Sequence, residues 1–499
     1  MLEAASLFTD GAVLCRNRVI RVFGLAGDGQ TVEARLEDAA GNLLAGNRTK
    51  AAQGRFTVCL PPQQAQTGCT LTLRSGTEVH TASDVAIGDV YLAGGQSNME
   101  LELRNSAGGA EQAEEDPLLR FFNVPRKAMV NAEQRQALRE TRWKPVTPEN
   151  AGYNSAVATV FGMRMRRRHP DLPVGIIGCY WGGTSIACWM DEETLRSLAE
   201  GVRYLEEYTA QCGGKTLETY LREEAAWQRE TDEWNRKAER IRAERPGVTG
   251  LEIDEEIGLY PWNPPCGPGS PYRPCGLAES MLREVAPVAL TAVLYYQGEE
   301  DTWRTEQYDL LMTAMIRFWR KLFRRPELPF LFVQLPMWIQ AGGEDTYTWA
   351  RTRLAQAAVR DSVRNTGMIC LLDEGEYGNI HPTNKVPVGE RLAELAEKML
   401  YGRGEESPRA EEKWTEGPVL AVRMTQPVRT RDGKEPKLME IAGADGVFVP
   451  ASAEISGDML YLRADGVELP VSARYAWTDY STDATLTGEN GLPAEPFLV

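Results

Sequence analysis

The pattern of apolar residues changes at residue 89, and this change constrains the fold more than any other feature of the chain. Before it, short alternating segments separated by turn residues are typical of a small β-sandwich. After it, apolar strands alternate with amphipathic helices, which requires a parallel sheet with helices on both faces. From about residue 408 the chain returns to short β segments. The sequence therefore predicts an α/β domain at 89–407, flanked by β domains at 1–88 and 408–499.

The α/β region divides into five predicted core strands and four helices. The strands are 89–93, 173–178, 290–296, 329–334 and 367–372; the helices are 153–168, 304–322, 348–363 and 387–401. Residues 190–244 interrupt this alternation with two long charged helices that break at Gly213 and Gly214, so an inserted helical hairpin is predicted there. The following segment, 261–274, is rich in Pro, Gly and aromatic residues and is predicted to be an irregular loop near the site.

Composition and charge exclude several classes of function. A net charge of −16 argues against nucleic acid or an anionic membrane surface as a partner. No apolar run is long enough to span a membrane, and the N-terminus has neither the basic nor the apolar region of a signal peptide, so a cytoplasmic location is expected. Nine cysteines without metal-ligand spacing favour reduced thiols, and no metal or other cofactor is expected.

A candidate nucleophile follows the first strand of the α/β region. Ser97 follows the apolar run 89–93, the pair Gly94-Gly95 and Gln96, where an open α/β sheet presents reactive residues. The chain has only three histidines that can serve as its base. His80 lies in a polar strand and His169 at a predicted helix end, and both are interpreted as structural. His381 lies in a loop after the last predicted strand, from which it can reach back to Ser97.

Two further strand ends supply candidate donors for an oxyanion. Strand 173–178 is followed by Gly182 and Gly183, and strand 290–296 by Gln297. Since the carboxyl ends of parallel strands meet at one edge of the sheet, these residues are expected beside Ser97. The predicted oxyanion hole consists of the Ser97 N–H, the Gly182 or Gly183 N–H and the Gln297 side-chain amide.

The four motifs together resemble the sialate O-acetylesterase family, which belongs to the SGNH-type carbohydrate acetylesterases. They are Gly95-Gln96-Ser97-Asn98, Trp181-Gly182-Gly183-Thr184, Gln297-Gly298-Glu299 and Ile380-His381-Pro382. The resemblance runs nearly end to end and implies a flavodoxin-like SGNH domain between β domains. It further implies that Ser97 is the nucleophile and His381 the base. Residues expected to support the site or contact substrate are Gln96, Asn98, Trp181, Glu299 and Asn379.

The chain departs from the family at the acid that would orient His381. Asn379 and Gly378 stand where relatives have aspartate. Glu376 is the tentative replacement, Asp373 is a further candidate, and a Ser–His dyad held by a backbone carbonyl is the other possibility. Losing the acid outright is expected to lower turnover by about 10⁴-fold, by analogy with serine proteases.

The sequence thus predicts a serine esterase that removes acetyl groups from sugars or oligosaccharides. Two substrate classes stay open. An acetylated sialic acid requires a cation for its carboxylate, and neutral acetylated xylo- or manno-oligosaccharides require aromatic platforms. The candidate cations are Arg104, Arg273, Arg304 and Lys385; the candidate platforms are Trp181, Trp262, Trp303 and Trp338. A non-catalytic carbohydrate-binding protein with a vestigial site is the rival hypothesis, a lipase or thioesterase ranks below it, and the oligomeric state stays open.

Overall fold

The computed structural model describes residues 2–112, 114–245, 248 and 250–499. The strands are β1 (Leu2–Ala4), β2 (Val13–Cys15), β3 (Ile20–Ala26), β4 (Thr31–Glu37), β5 (Leu43–Lys50), β6 (Arg55–Leu60), β7 (Gln66–Ser75), β8 (Glu78–Gly95), β9 (Asp116–Asn123), β10 (Lys144–Val146), β11 (Val174–Tyr180), β12 (Ala292–Tyr296), β13 (Phe330–Val333), β14 (Thr366–Ile369), β15 (Ala410–Glu416), β16 (Val419–Met424), β17 (Val428–Thr430), β18 (Met439–Ala442), β19 (Phe448–Pro450), β20 (Ser452–Ser456), β21 (Met459–Arg463), β22 (Ser472–Tyr475), β23 (Leu486–Gly488) and β24 (Phe497–Leu498).

The helices lie mainly between β8 and β15. The α-helices are α1 (Ser97–Glu100), α2 (Ala132–Glu140), α3 (Pro148–Ala151), α4 (Ala156–Arg168), α5 (Glu192–Arg196), α6 (Ala199–Cys212), α7 (Leu217–Glu244), α8 (Gly250–Ile257), α9 (Arg283–Val285), α10 (Tyr308–Leu322), α11 (Thr348–Ser362) and α12 (Val386–Tyr401). Short 3₁₀ segments lie at Leu103–Asn105, Ala110–Gln112, Ile186–Trp189 and Glu299–Gln307, and a π-helical turn lies at Ala278–Leu282. No helix in the described ranges combines the length and apolarity that crossing a membrane requires.

The central sheet has the strand order β10-β9-β11-β8-β12-β13-β14. All pairs from β9 to β14 are parallel, and β10 is antiparallel at the edge. The architecture is a mixed α/β sheet flanked by β units, as the sequence predicts. β9 and β10 are absent from the sequence-based prediction. Strand β8 also pairs with β7 of the N-terminal β unit, so it runs continuously through the predicted boundary at residue 88.

Both faces of the central sheet are buried. Along β8, Val90 and Leu92 belong to one apolar core, and Tyr91 and Ala93 belong to another. Because side chains alternate along a strand, this division means that each face packs against helices. Helices α4 and α12 contribute to the second core, and α10 contributes to the first.

The register of the central strands brings three strand ends side by side. Gly95 of β8 lies opposite Tyr180 of β11 and Tyr296 of β12. The segments that begin at Gln96, Trp181 and Gln297 therefore leave the sheet at the same edge. This edge is where the sequence places the four motifs.

The interrupting segment contains the short helix α5 and two longer helices, α6 and α7, which are separated by Gly213 with φ 55°. Helix α6 buries Glu200 and Tyr204 toward the sheet domain. The C-terminal half of α7 forms a small separate core with α8, through Ala238 and Ile241 among others. At its C-terminal end α7 therefore packs against α8, and the predicted two-helix hairpin does not include α8. The residues from 258 to 274 form no helix or strand, as the sequence predicts.

Candidate active site

Ser97 begins helix α1 directly after the turn that ends β8. Gly95 has φ 136°, and a Cβ there would lie 2.0 Å from the carbonyl oxygen of Tyr296. A Cβ at Gly94 would lie 2.8 Å from the ring of Trp319. Both positions therefore require glycine, because the turn passes against a neighbouring strand and a buried indole. This tight turn fixes Ser97 at the edge of the sheet.

Ser97 and His381 are in hydrogen-bond contact although they are 284 positions apart. The distance between Ser97 Oγ and His381 Nε2 is 2.8 Å. The other two histidines are occupied elsewhere: His80 Nε2 lies 2.6 Å from the carbonyl oxygen of Phe8, and His169 Nε2 lies 2.6 Å from Glu397 Oε1. A serine and an imidazole at this separation can act together as nucleophile and general base.

The environment of His381 keeps its imidazole neutral. Burial, aided by the positive charge of Lys385, lowers the pKa of His381 to about 4. A neutral imidazole with an unprotonated Nε2 can accept the hydroxyl proton of Ser97. The base is therefore ready at every pH well above 4.

The acid predicted to orient His381 does not contact the imidazole. Glu376 accepts hydrogen bonds from the Thr383 N–H (2.6 Å) and from Nδ2 of Asn379 (2.7 Å). Asn379 in turn accepts the backbone N–H of His381 at 3.0 Å. Glu376 and Asn379 thus hold the loop that carries His381. The prediction that Glu376 orients the imidazole is corrected, because Glu376 bonds to Asn379 and Thr383 instead. Asp373 is engaged by Arg391, with two contacts of 2.8 Å.

The loop after β11 packs directly on Ser97. A Cβ at Gly182 would lie 3.2 Å from Ser97 Cβ, so a larger residue would crowd the nucleophile. The Gly182 N–H donates to Glu100 Oε2 at 2.5 Å, and Glu100 also pairs with Arg126. By contrast, the N–H groups of Ser97 and Gly183 have no hydrogen-bond partner among the residues that the structure describes. Of the predicted oxyanion donors, these two N–H groups are therefore available to bind the oxyanion.

Gln297 departs from the predicted oxyanion hole. Its side-chain amide donates to the buried carboxylate of Asp301 and to the Thr184 carbonyl oxygen (3.3 Å). Its own oxygen accepts the Tyr308 hydroxyl at 2.9 Å. Both amide hydrogens of Gln297 are thus donated to protein groups, because the Asp301 carboxylate is a stronger acceptor than a neutral oxygen. In this structure Gln297 braces the loop after β11 rather than facing Ser97.

A buried charged network lies behind the nucleophile and includes a residue whose role the sequence analysis missed. Asn98 is fully buried and donates to Glu299 Oε1 (2.5 Å) and to the carbonyl oxygen of Ile380 (3.0 Å). Its oxygen accepts from Lys385 Nζ at 2.6 Å. Lys385, predicted as a cation at the rim, is completely buried. Burial lowers the pKa of Lys385 to about 8, and burial raises the pKa of Glu299.

This network ties the two catalytic segments together. Asn98 follows Ser97, and the carbonyl that it binds belongs to the residue before His381. The signal available in the sequence is a lysine four residues after the histidine, but nothing in that spacing separates a buried lysine from an exposed one. The lysine's placement depends on the acid Glu299, which is distant in the chain.

The remaining predicted residues support the same edge of the sheet. Gln96 is buried, and its side-chain oxygen accepts the Glu300 N–H at 3.2 Å. The Trp181 N–H donates to the Gly95 carbonyl oxygen at 3.2 Å. Across the described residues, no group of three or more His, Cys, Asp or Glu has an arrangement that could hold a metal ion.

Replacing Glu100 tests how the loop after β11 is held. We expect Glu100→Ala to lower kcat by about 10²-fold, since a loop that packs on Ser97 loses its anchor. Glu100→Gln keeps an oxygen that accepts the Gly182 N–H and should stay within a few fold of the wild type. Steady-state kinetics measure both. A Glu100→Ala enzyme faster than the wild type would contradict this role, because it would mean that the carboxylate blocks a donor.

Several known proteins are similar to this chain. Residues 262–398 match the model of the carbohydrate esterase, sialic acid-specific acetylesterase family. The chain is 26% identical over 475 residues to the sialate O-acetylesterase of Rattus norvegicus, covering 87% of this chain and 80% of the relative. It is 25% identical over 455 residues to the Homo sapiens sialate O-acetylesterase, covering 83% and 75%. The resemblance predicted from the sequence motifs is confirmed.

A solved structure extends the likeness over the whole chain. The crystal structure of a carbohydrate acetylesterase from Xanthomonas citri superposes with a TM-score of 0.77 at 28% identity. It covers 100% of this chain and 99% of the other. The central sheet, the β units and the segments between them therefore belong to one shared architecture.

Proposed function

We propose that this protein, a carboxylic ester hydrolase, removes O-acetyl groups from sugars by covalent catalysis through Ser97 and His381. The observation that carries the proposal is the 2.8 Å contact between Ser97 Oγ and His381 Nε2. The contact lies at the edge of the sheet where the three strand ends meet.

The reaction begins with attack of Ser97 Oγ on the acetyl carbonyl carbon while His381 Nε2 takes the hydroxyl proton. The oxyanion that forms is stabilised by backbone N–H groups, those of Ser97 and Gly183 being free to donate. His381 then gives its proton to the departing sugar oxygen. A water molecule, deprotonated by His381, attacks the carbonyl carbon of the acetyl-enzyme. The bond to Ser97 Oγ breaks, acetate leaves, and His381 returns the proton to Ser97 Oγ.

A serine-reactive phosphonate tests this assignment. The wild type should release acetate from acetylated sugars, and the probe should label Ser97, as located by peptide mass spectrometry, and stop the release. The Ser97→Ala variant should take up no label at this peptide. If acetate release continued after full labelling, or Ser97 stayed unlabelled in an active enzyme, the assignment would be wrong. A protein that neither labels nor releases acetate would favour the rival carbohydrate-binding function.

The relatives' names favour sialic acid as the acetylated sugar, whereas the charges around the site favour a neutral one. Lys385 is buried, and Arg304 is nearly buried against Glu200 and Glu207. Of the other two candidates, Arg104 is exposed and pairs with Glu102, and Arg273 is partly buried and pairs with Glu279. Since each predicted cation is already engaged, we propose neutral acetylated oligosaccharides as the second candidate substrate class. Acetate release from acetylated sialic acid and from acetylated xylo-oligosaccharides, compared at equal concentration, distinguishes the two.

A further inference from the structure

Two tryptophans that reach solvent are linked by contacts to the loop that packs on Ser97 and to the turn before Ser97. Trp262 is 44% exposed and Trp303 is 60% exposed, although large aromatic side chains are usually buried. Trp262 belongs to the irregular segment after α8, and Trp303 belongs to the 3₁₀ segment after β12. Each is connected by short contacts to residues that touch Ser97 or its neighbours.

Trp262 is seated on the loop that packs against Ser97. A Cβ at Gly183 would lie 2.1 Å from Trp262 Cη2, so the indole occupies the space above this glycine. A Cβ at the neighbouring Gly182 would lie 3.2 Å from Ser97 Cβ, so this loop passes close to the nucleophile. Trp262 also packs edge-on against Tyr272, with ring centroids 5.7 Å apart. The Trp262 indole therefore packs on Gly183, the residue that follows Gly182 in this loop.

Helix α7 holds the segment that carries Trp262. The indole N–H of Trp227 donates to the Pro261 carbonyl oxygen at 2.7 Å, and the indole N–H of Trp234 donates to the Gly258 carbonyl oxygen at 2.7 Å. Two side chains of one long helix therefore fix a segment that has no regular structure of its own.

The buried guanidinium of Arg304 packs on one face of the Trp303 ring. The guanidinium of Arg304 lies 3.9 Å from the ring centroid of Trp303 and 3.9 Å from that of Tyr204. Arg304 is itself paired with Glu200 and Glu207, which belong to α6. The Trp303 indole N–H donates to the Glu300 carbonyl oxygen at 2.8 Å. One face of the ring is covered by Arg304, so the exposed area belongs to the other face.

The inserted helices thus supply the anchors for both indoles, α6 for Trp303 and α7 for Trp262. An aromatic face whose orientation is already fixed loses little conformational entropy when a ligand packs on it. The hydrogen-bearing face of a pyranose ring is the complementary surface for an indole. Such platforms bind rings next to the acetylated one and play no part in the bond-breaking steps.

We propose that Trp262 and Trp303 form sugar-stacking subsites beside Ser97, so that this enzyme binds an acetylated oligosaccharide through at least one pyranose ring besides the acetylated ring. The proposal rests on the carbohydrate acetylesterase function given above and specifies its substrate as an oligosaccharide.

The test compares a substrate that has neighbouring rings with one that has none. Acetylated xylotetraose, acetylated xylose and p-nitrophenyl acetate serve as probes for the wild type, Trp262→Ala and Trp303→Ala. We expect each variant to lower kcat/KM for the tetrasaccharide by about 10- to 100-fold, mainly through KM. Hydrolysis of p-nitrophenyl acetate should stay within about 2-fold, because the chemistry at Ser97 is intact. Trp303→Phe, which keeps an aromatic face, should recover part of the loss.

The matched control is Trp414→Ala, a tryptophan that is 38% exposed in β15 of the C-terminal unit. It should change none of the three rates. The subsite proposal is overturned if tetrasaccharide and p-nitrophenyl acetate rates fall together, if neither falls, or if the wild type does not prefer xylotetraose over xylose. Failure of the catalytic assignment gives a different result, since p-nitrophenyl acetate hydrolysis would then survive in Ser97→Ala.

Discussion

Ser97→Ala should lower kcat for acetate release by a factor on the order of 10⁴ to 10⁶, and His381→Ala should lower it comparably. The two residues act as one unit, because the hydroxyl is a poor nucleophile until the imidazole 2.8 Å away accepts its proton. The double variant should therefore be no slower than Ser97→Ala alone. Single-turnover acetate release and steady-state kcat measure the three values.

Two controls separate loss of chemistry from loss of fold. His80→Ala removes a histidine whose Nε2 lies 2.6 Å from the Phe8 carbonyl oxygen in the N-terminal unit, and it should leave kcat unchanged. Far-UV circular dichroism and the melting temperature of Ser97→Ala should match the wild type. If the losses of the two single variants multiplied in the double variant, the residues would be acting independently and the dyad would be disproved.

The parts of the site that the sequence predicts well are those set by chain direction in a parallel sheet. Once 89–93, 173–178 and 290–296 are identified as parallel strands, their following residues must meet at one edge. In the structure, the register places Gly95 opposite Tyr180 and Tyr296, so the three strands end side by side. The positions of Ser97, Gly182 and Gln297 at that edge follow from topology alone, before any side-chain contact is considered.

What the sequence does not predict is the direction in which each polar side chain points. Gln297 turns to Asp301 because a buried carboxylate four residues away needs a donor. Glu376 binds the Thr383 N–H instead of the imidazole, since its loop closes on itself. Such choices depend on competition between nearby partners. No periodicity or motif spacing records that competition.

Lys385→Met should lower kcat/KM at pH 7 by about 10²-fold and move the acidic limb of the pH profile to higher pH. The rate falls because Lys385 Nζ holds Asn98, and Asn98 joins the Ser97 segment to the Ile380 carbonyl beside His381. The limb moves because the lysine's positive charge helps to keep the pKa of His381 at about 4. Without that charge the imidazolium is less unfavourable, so the pKa of His381 rises and the base is lost at a higher pH.

The pH dependence of kcat/KM reports this pKa in the free enzyme. Lys398→Met is the matched control, since Lys398 lies in the same helix as the residues that follow Lys385 but is partly exposed and pairs with Glu406. It should leave both the rate and the limb in place. An acidic limb that does not move in Lys385→Met would refute the electrostatic role, and a lower rate alone would then indicate a packing defect.

The difference in stability between Lys385→Met and the wild type should depend on pH, because the wild type buries the titratable amine of Lys385. The pKa of Lys385 is about 8 in the folded protein, against an ordinary value of 10.5. Between these values the unfolded chain binds more protons, so the stability of the wild type rises with pH across this window. The cost of burying the charge is fully present below pH 8 and absent above 10.5. Lys385→Met has no such cost, and its melting temperature relative to the wild type should therefore be higher at pH 7 than at pH 10.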